Sequence, residues 1–173
     1  KFSKNTGRQE LARELELGEG TVRTILKSLK SKKLLEQTKK GHFLSRKGAD
    51  ALQHIYGCIS APKSIALHKL YPDSKKAAVL IRNVLRLGEL YRLRDIAVRN
   101  GADGAIILKF EGRLYAPEYE YEQDYKELES NFDLNDGDVL VISFSHEKRN
   151  AENGALAIAV DLDSDLKRFI SEF

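Results

Sequence analysis

From Arg8 onward the apolar positions Leu11, Ala12 and Leu15 recur at intervals of three and four, the spacing of one helical face. The pattern predicts a helix that stops near residues 16–18, where Gly18 supplies the turn conformation. A second helix follows over 20–31, with Val22, Ile25, Leu26 and Leu29 in a stripe at i, i+3, i+4 and i+7. Its other face carries Thr21, Arg23, Thr24, Lys27, Ser28 and Lys30. Leu34 and Leu35 lead into a short strand, residues 39–41 form a turn, and residues 42–45 return as a second strand. Ser45 is suited to cap a further helix over roughly residues 47–56, with Ala51, Leu52 and Ile55 facing inward. Residues 1–5 read as the end of a preceding helix.

A boundary is expected at 57–63, where Gly57, Ser60 and Pro62 interrupt the helical period, separating domains 1–58 and 64–173. Past it, SIALHKL and AAVLIRNV read as strands flanking the turn YPDSKK. LGELYRLRDIAVRNG predicts a helix with Leu90, Leu93, Ile96 and Ala97 inward, ended by Gly101. GAIILKFEGRLYAP reads as strand, turn at 111–112, strand, and DYKELESNF as a short helix. NDGDVLVISFS and NGALAIAVDL both read as strands, each opened by Asn, Asp and Gly turn chemistry. DSDLKRFISEF closes as an amphipathic helix capped by Asp163 or Ser164. The expected fold class is α+β: an N-terminal winged helix-turn-helix, then a mostly antiparallel, sandwich-like α/β domain.

Composition narrows the function classes. With 42% hydrophobic and 32% charged residues in 173, the chain is globular. No apolar run approaches the ~18 residues of a membrane span, and the start lacks the apolar core of a signal peptide. Met is absent, and Lys1 reads as an internal start. Few Gln, no Trp and many Lys, Arg and Glu fit a heat-adapted cytosolic protein, so the expected location is cytoplasmic. Cys58 alone excludes an internal disulfide and reads as a small buried hydrophobe. The net charge of +3 conceals an asymmetry. Residues 1–60 hold 13 Lys and Arg against 6 Asp and Glu, whereas residues 61–173 hold 16 against 20. A basic head on a mildly acidic body suits a polyanion-binding module joined to a part that does not bind DNA.

In the head, a short helix braces a second helix across a turn, and that second helix begins at Gly20 with no bulky side chain. Thr21, Arg23, Thr24 and Ser28 are placed to reach base edges or phosphates, Arg23 being the candidate for a bidentate contact to guanine. Lys27 and Lys30 fall where phosphate contacts are expected, and Lys39, Lys40 and His42 form a cationic wing. The run E-L-A-x-x-L, the turn, T-V-x-x-x-L-x-x-L-x-x-x-x-L-L, the Lys/Gly wing and S-x-K-G resemble the winged helix-turn-helix family of transcriptional regulators over residues 5–56. The resemblance implies that the helix at 20–31 reads the major groove of double-stranded DNA and that the wing at 36–45 grips the backbone or minor groove. A protein-interaction scaffold in a transcription or RNA-processing assembly is the alternative, since winged helices also contact proteins.

The second domain carries no nucleotide-binding, hydrolase or metalloprotease motif, and His54, His68 and His146 are scattered, so neither an enzyme nor a metal or other cofactor is expected. Two clusters remain. Arg92, Arg94 and Arg99 with His146, Lys148 and Arg149 are candidates for a small anionic effector, against ordinary surface ion pairing. The acidic, Tyr-rich segment 117–129 is either a solvated face or a partner surface with Tyr anchors. NGADGAIILKF and the pair GDVLVISFS…NGALAIA resemble archaeal winged-helix proteins with a C-terminal domain of unknown function. A DNA-binding head on such a body implies a homodimer whose second domain senses a ligand or dimerises.

Overall fold

The computed structural model describes residues 5–67, 71–118 and 124–172. The chain divides into two units, one up to Ile55 and one from Tyr56 to Glu172. The first contains α1 (Arg8–Glu14), α2 (Glu19–Ser31), β1 (Leu35–Thr38), β2 (Gly41–Leu44) and most of α3 (Arg46–Cys58). The division thus falls inside α3, a little ahead of the Gly/Pro stretch expected to separate the domains. Asn5 is not helical, so the leading helix expected over residues 1–5 does not reach it, and Thr6 bridges His42; residues 1–4 lie outside the described residues.

The core of the first unit is small: Ala12, Val22 and Leu26, flanked by Leu11, Leu17 and Leu35. Ile25, expected inside, is 40% exposed. Both helices end on left-handed residues that are not glycine, Glu16 at φ 50° and Lys33 at φ 59°. In each case the next amide folds back, Leu17 N donating to Ala12 O and Leu34 N to Leu29 O, both at 2.9 Å. Gly18, expected to end α1, instead begins α2 from an extended conformation. The hairpin pairs Leu35 with Leu44 through Thr38 with Gly41, and Thr6 adds an isolated bridge, exchanging both backbone bonds with His42. The S-x-K-G run serves structure. Ser45 Oγ accepts from Gly48 N at 3.0 Å and donates to Lys33 O at 2.6 Å. A Cβ on Gly48 would lie 2.0 Å from Leu34 O, so only glycine fits there.

The second unit is an antiparallel five-stranded sheet ordered β3 (Lys63–Ser64), β4 (Lys75–Ile81), β7 (Val139–Ser145), β5 (Gly104–Phe110), β6 (Leu114–Tyr115). Central β7 is buried along its whole length. Helices α4 (Leu90–Arg99) and α6 (Lys148–Leu162) pack with the sheet, and α7 (Ser164–Ser171) packs with α6. A second apolar cluster includes Leu80, Leu108 and Leu140 of the sheet with Tyr125 and with Leu128 of α5 (Lys126–Glu129). The strand expected over SIALHKL shrinks to β3, its last residues lying outside the described residues. Asp163 caps α7 by accepting from Leu166 N at 2.9 Å.

NGALAIAVDL is not a strand. It forms the C-terminal part of α6, whose buried residues Ala151, Gly154, Ala155, Ile158 and Ala159 follow a helical period. The segment is apolar on every side, so alternation could not be told from a buried helix, and alanine favours the helix. Gly154 sits where an added Cβ would meet Ser143 Oγ at 2.5 Å and the Ala102 methyl at 2.7 Å. The glycine therefore serves close helix–sheet packing, not a turn.

Candidate nucleic-acid interface

Arg23, Lys27 and Lys30 project from α2 at i, i+4 and i+7, one side of the helix. With Arg8 at the start of α1 and Lys39 and Lys40 in the hairpin turn, they line a cleft of about 570 Å³. No Asp or Glu lines it among the described residues. Gln37 accepts from Lys30 Nζ at 2.7 Å, linking helix to hairpin. Thr38 Oγ1 accepts from Lys40 N at 3.2 Å and shapes the turn. The side chains of Arg23, Lys27, Lys39 and Lys40 have no hydrogen bond or ion pair among the described residues. Cations held this close repel one another, and an anion entering between them relieves that repulsion.

The hydroxyl candidates of α2 fall elsewhere. Thr21, Thr24 and Ser28 are exposed on a neighbouring stripe of α2 and do not line the cleft. Thr24 Oγ1 already donates to Gly20 O at 3.2 Å. His42 lines the same cleft as a half-buried residue of β2 next to the hairpin turn, its Nδ1 buried without a hydrogen-bond partner among the described residues. Arg8 was missed by sequence reasoning because it lies before the helix that carries the other cations. Its Nη2 pairs with Glu19 Oε2 at 3.1 Å.

Residues 73–162, just over half of the chain, match the family model described as a domain of unknown function, DUF4443. The chain belongs to the DUF4443 family. Residues 2–50 match the PH0730-like N-terminal domain. A similar solved structure is that of the hypothetical protein PH0730 from Pyrococcus horikoshii OT3, at 27% identity and a TM-score of 0.79 over 99% of this chain and 92% of that one. No curated protein matches. The basic cleft therefore lies within the PH0730-like part, and the DUF4443 match runs from β4 to α6, leaving out β3 and α7.

The anionic-effector candidates sit in that DUF4443 part. Arg94 of α4 is ion-paired to Glu118, Arg92, Arg99 and His146 are exposed, and Arg149 is engaged. A cleft of about 420 Å³ bordered by α4, α6 and α7 is lined by none of them. Of the acidic segment, residues 119–123 lie outside the described residues, while Tyr125 is buried in the core and so is no surface anchor. No group of three or more His, Cys, Asp or Glu is placed to hold a metal among the described residues, and no helix is long and apolar enough to cross a membrane.

Cys58 is half-buried, and its thiol pKa is pushed up by burial, by the Asp163 carboxylate and its hydrogen bond, and by Asp165. The raised value favours the neutral thiol, so its stabilising contribution is present below the unfolded-state pKa and is lost as pH rises through the folded one. Alkylation by iodoacetamide at pH 7.5–8 (roughly, a pH where free thiols react) is expected to be several-fold slower in the folded chain than in the denatured chain. Asp163→Asn, which keeps a capping side chain, should speed it; equal rates in all three samples would contradict the assignment.

Proposed function

We propose that this protein is a sequence-specific DNA-binding transcriptional regulator of the winged helix-turn-helix kind. The observation that carries the reading is the cleft in which α2 and the hairpin turn gather Arg8, Arg23, Lys27, Lys30, Lys39 and Lys40 without a lining carboxylate. In this reading α2 enters the major groove, Arg23 contacts a base edge, and the lysines neutralise phosphates. Thr21, Thr24 and Ser28 flank the contact, and the hairpin lies on the backbone or minor groove. The DUF4443 unit is the dimerising or effector-sensing part, and a two-fold dimer reads two half-sites.

Binding of a fluorescent duplex by the full chain tests it. Affinity is expected to fall about 10²- to 10³-fold between roughly 50 and 200 mM salt, because each neutralised phosphate releases counterions. No detectable binding at low salt overturns the reading. Recovery of a stoichiometric protein partner insensitive to nuclease would favour the scaffold role instead.

A further inference from the structure

We propose that Glu19 is a base-reading residue that selects a cytosine edge beside the basic cleft, an inference that rests on duplex DNA being the ligand of that cleft. Glu19 opens α2, four residues before Arg23. Helical spacing therefore puts it at the head of the stripe that continues through Arg23, Lys27 and Lys30. Its side chain is 49% exposed, and Oε2 is held 3.1 Å from Nη2 of Arg8, a residue that lines the cleft. Oε1 has no partner among the described residues. An ionised carboxylate offers acceptor sites on both oxygens, so engagement with Arg8 leaves Oε1 available.

A carboxylate in line with three cations weakens attraction for every phosphate. It contributes recognition only where the ligand presents a donor. In the major groove, the amino group of cytosine is a donor with no acceptor beside it on the same base. The amino group of adenine adjoins N7, while guanine and thymine offer a carboxylate only acceptors. Glu19 therefore favours cytosine and penalises the other bases, lowering general affinity and raising discrimination. Arg8 holds the carboxylate in place before DNA arrives, which reduces the ordering cost of the contact.

The test is selection from a random-sequence duplex library by the full chain, compared among wild type, Glu19→Gln, Glu19→Ala and Arg8→Ala. The wild type is expected to enrich a site with cytosine at one fixed position. Both Glu19 variants should keep the rest of that site and lose about five-fold or more in preference at the cytosine. Their affinity for random duplex should rise about two-fold or more as the repulsion disappears. Arg8→Ala should blur the same position and no other. Because the pair is exposed, thermal melting of all variants should match the wild type. A site unchanged in both Glu19 variants overturns the proposal and leaves the DNA reading standing; a wild type that enriches no site overturns both.

Discussion

Lys27→Glu combined with Lys39→Glu is expected to lower the affinity of the full chain for duplex DNA on the order of 10²-fold at roughly 50 mM salt. The two lysines line opposite walls of one cleft, Lys27 on α2 and Lys39 in the hairpin turn. Neither has a side-chain partner among the described residues, so each exchange removes a free cation and sets a carboxylate against phosphate. The salt slope should flatten by about two, close to 0.9 for each lost phosphate contact. Lys126→Glu on α5, with half the charge change of the double variant, serves as the control for net charge. If it weakens binding by about half as many decades as the double variant, bulk charge and not the cleft is responsible. Arg23→Ala should behave differently, relaxing sequence preference at one position by about 1–3 kcal/mol of discrimination instead of weakening all duplexes alike. Fluorescence anisotropy over a salt series, with matched and mismatched duplexes, separates these outcomes.

The cations of the cleft were legible because helical periodicity alone places Arg23, Lys27 and Lys30 on one side of α2, and a Lys-Lys-Gly turn announces the hairpin. What periodicity could not supply was the second wall. Arg8 joins the cleft through the packing of α1 on α2, and Gln37 through its bond from Lys30; both are tertiary contacts without a local signature. His42 also lines the cleft, but its backbone pairing with Thr6 had no local signature.

Turn chemistry was a partial guide. Glycine was expected to stop α1, yet Glu16 takes the left-handed conformation, held by the Leu17-to-Ala12 bond. A six-residue ring closed by a hydrogen bond can offset the modest strain of a non-glycine residue there. The larger failure was α6. Strand β7 was correctly expected, since its apolar run follows Asn-Asp-Gly-Asp, but the similar run after Asn153 and Gly154 is helical. Two chemically alike openings led to opposite structures, and Gly154 answers a packing contact with Ser143 of β7 and with Ala102, both outside its own segment. Local composition has no term for such a contact.

Asp138→Ala is expected to destabilise the chain by about 3 kcal/mol, near the lower end for breaking a buried ion pair because Arg82 keeps some contact with water. The carboxylate is buried, its side chain only 3% exposed against 35% for Arg82. Oδ2 accepts from Arg82 Nη1 at 2.7 Å and from Asn135 N at 3.0 Å, and Oδ1 accepts from Asn83 N at 3.0 Å. The backbone of the same residue accepts from Phe110 N at 2.9 Å. One side chain therefore joins the exit of β4, the turn before β7 and, through its backbone, the end of β5. Alanine leaves three donors facing a site that a methyl group cannot satisfy, and stranded donors cost more than the net value of the bonds they made. Asp138→Asn should lose less, since one oxygen remains to accept while its amide hydrogens oppose a donor. Urea unfolding is the measurement, with an unchanged m-value showing that the same surface is exposed on unfolding. A loss below about 1 kcal/mol for the alanine variant would mean that water replaces the carboxylate, and the knot would then be a local turn device with no hold on the sheet.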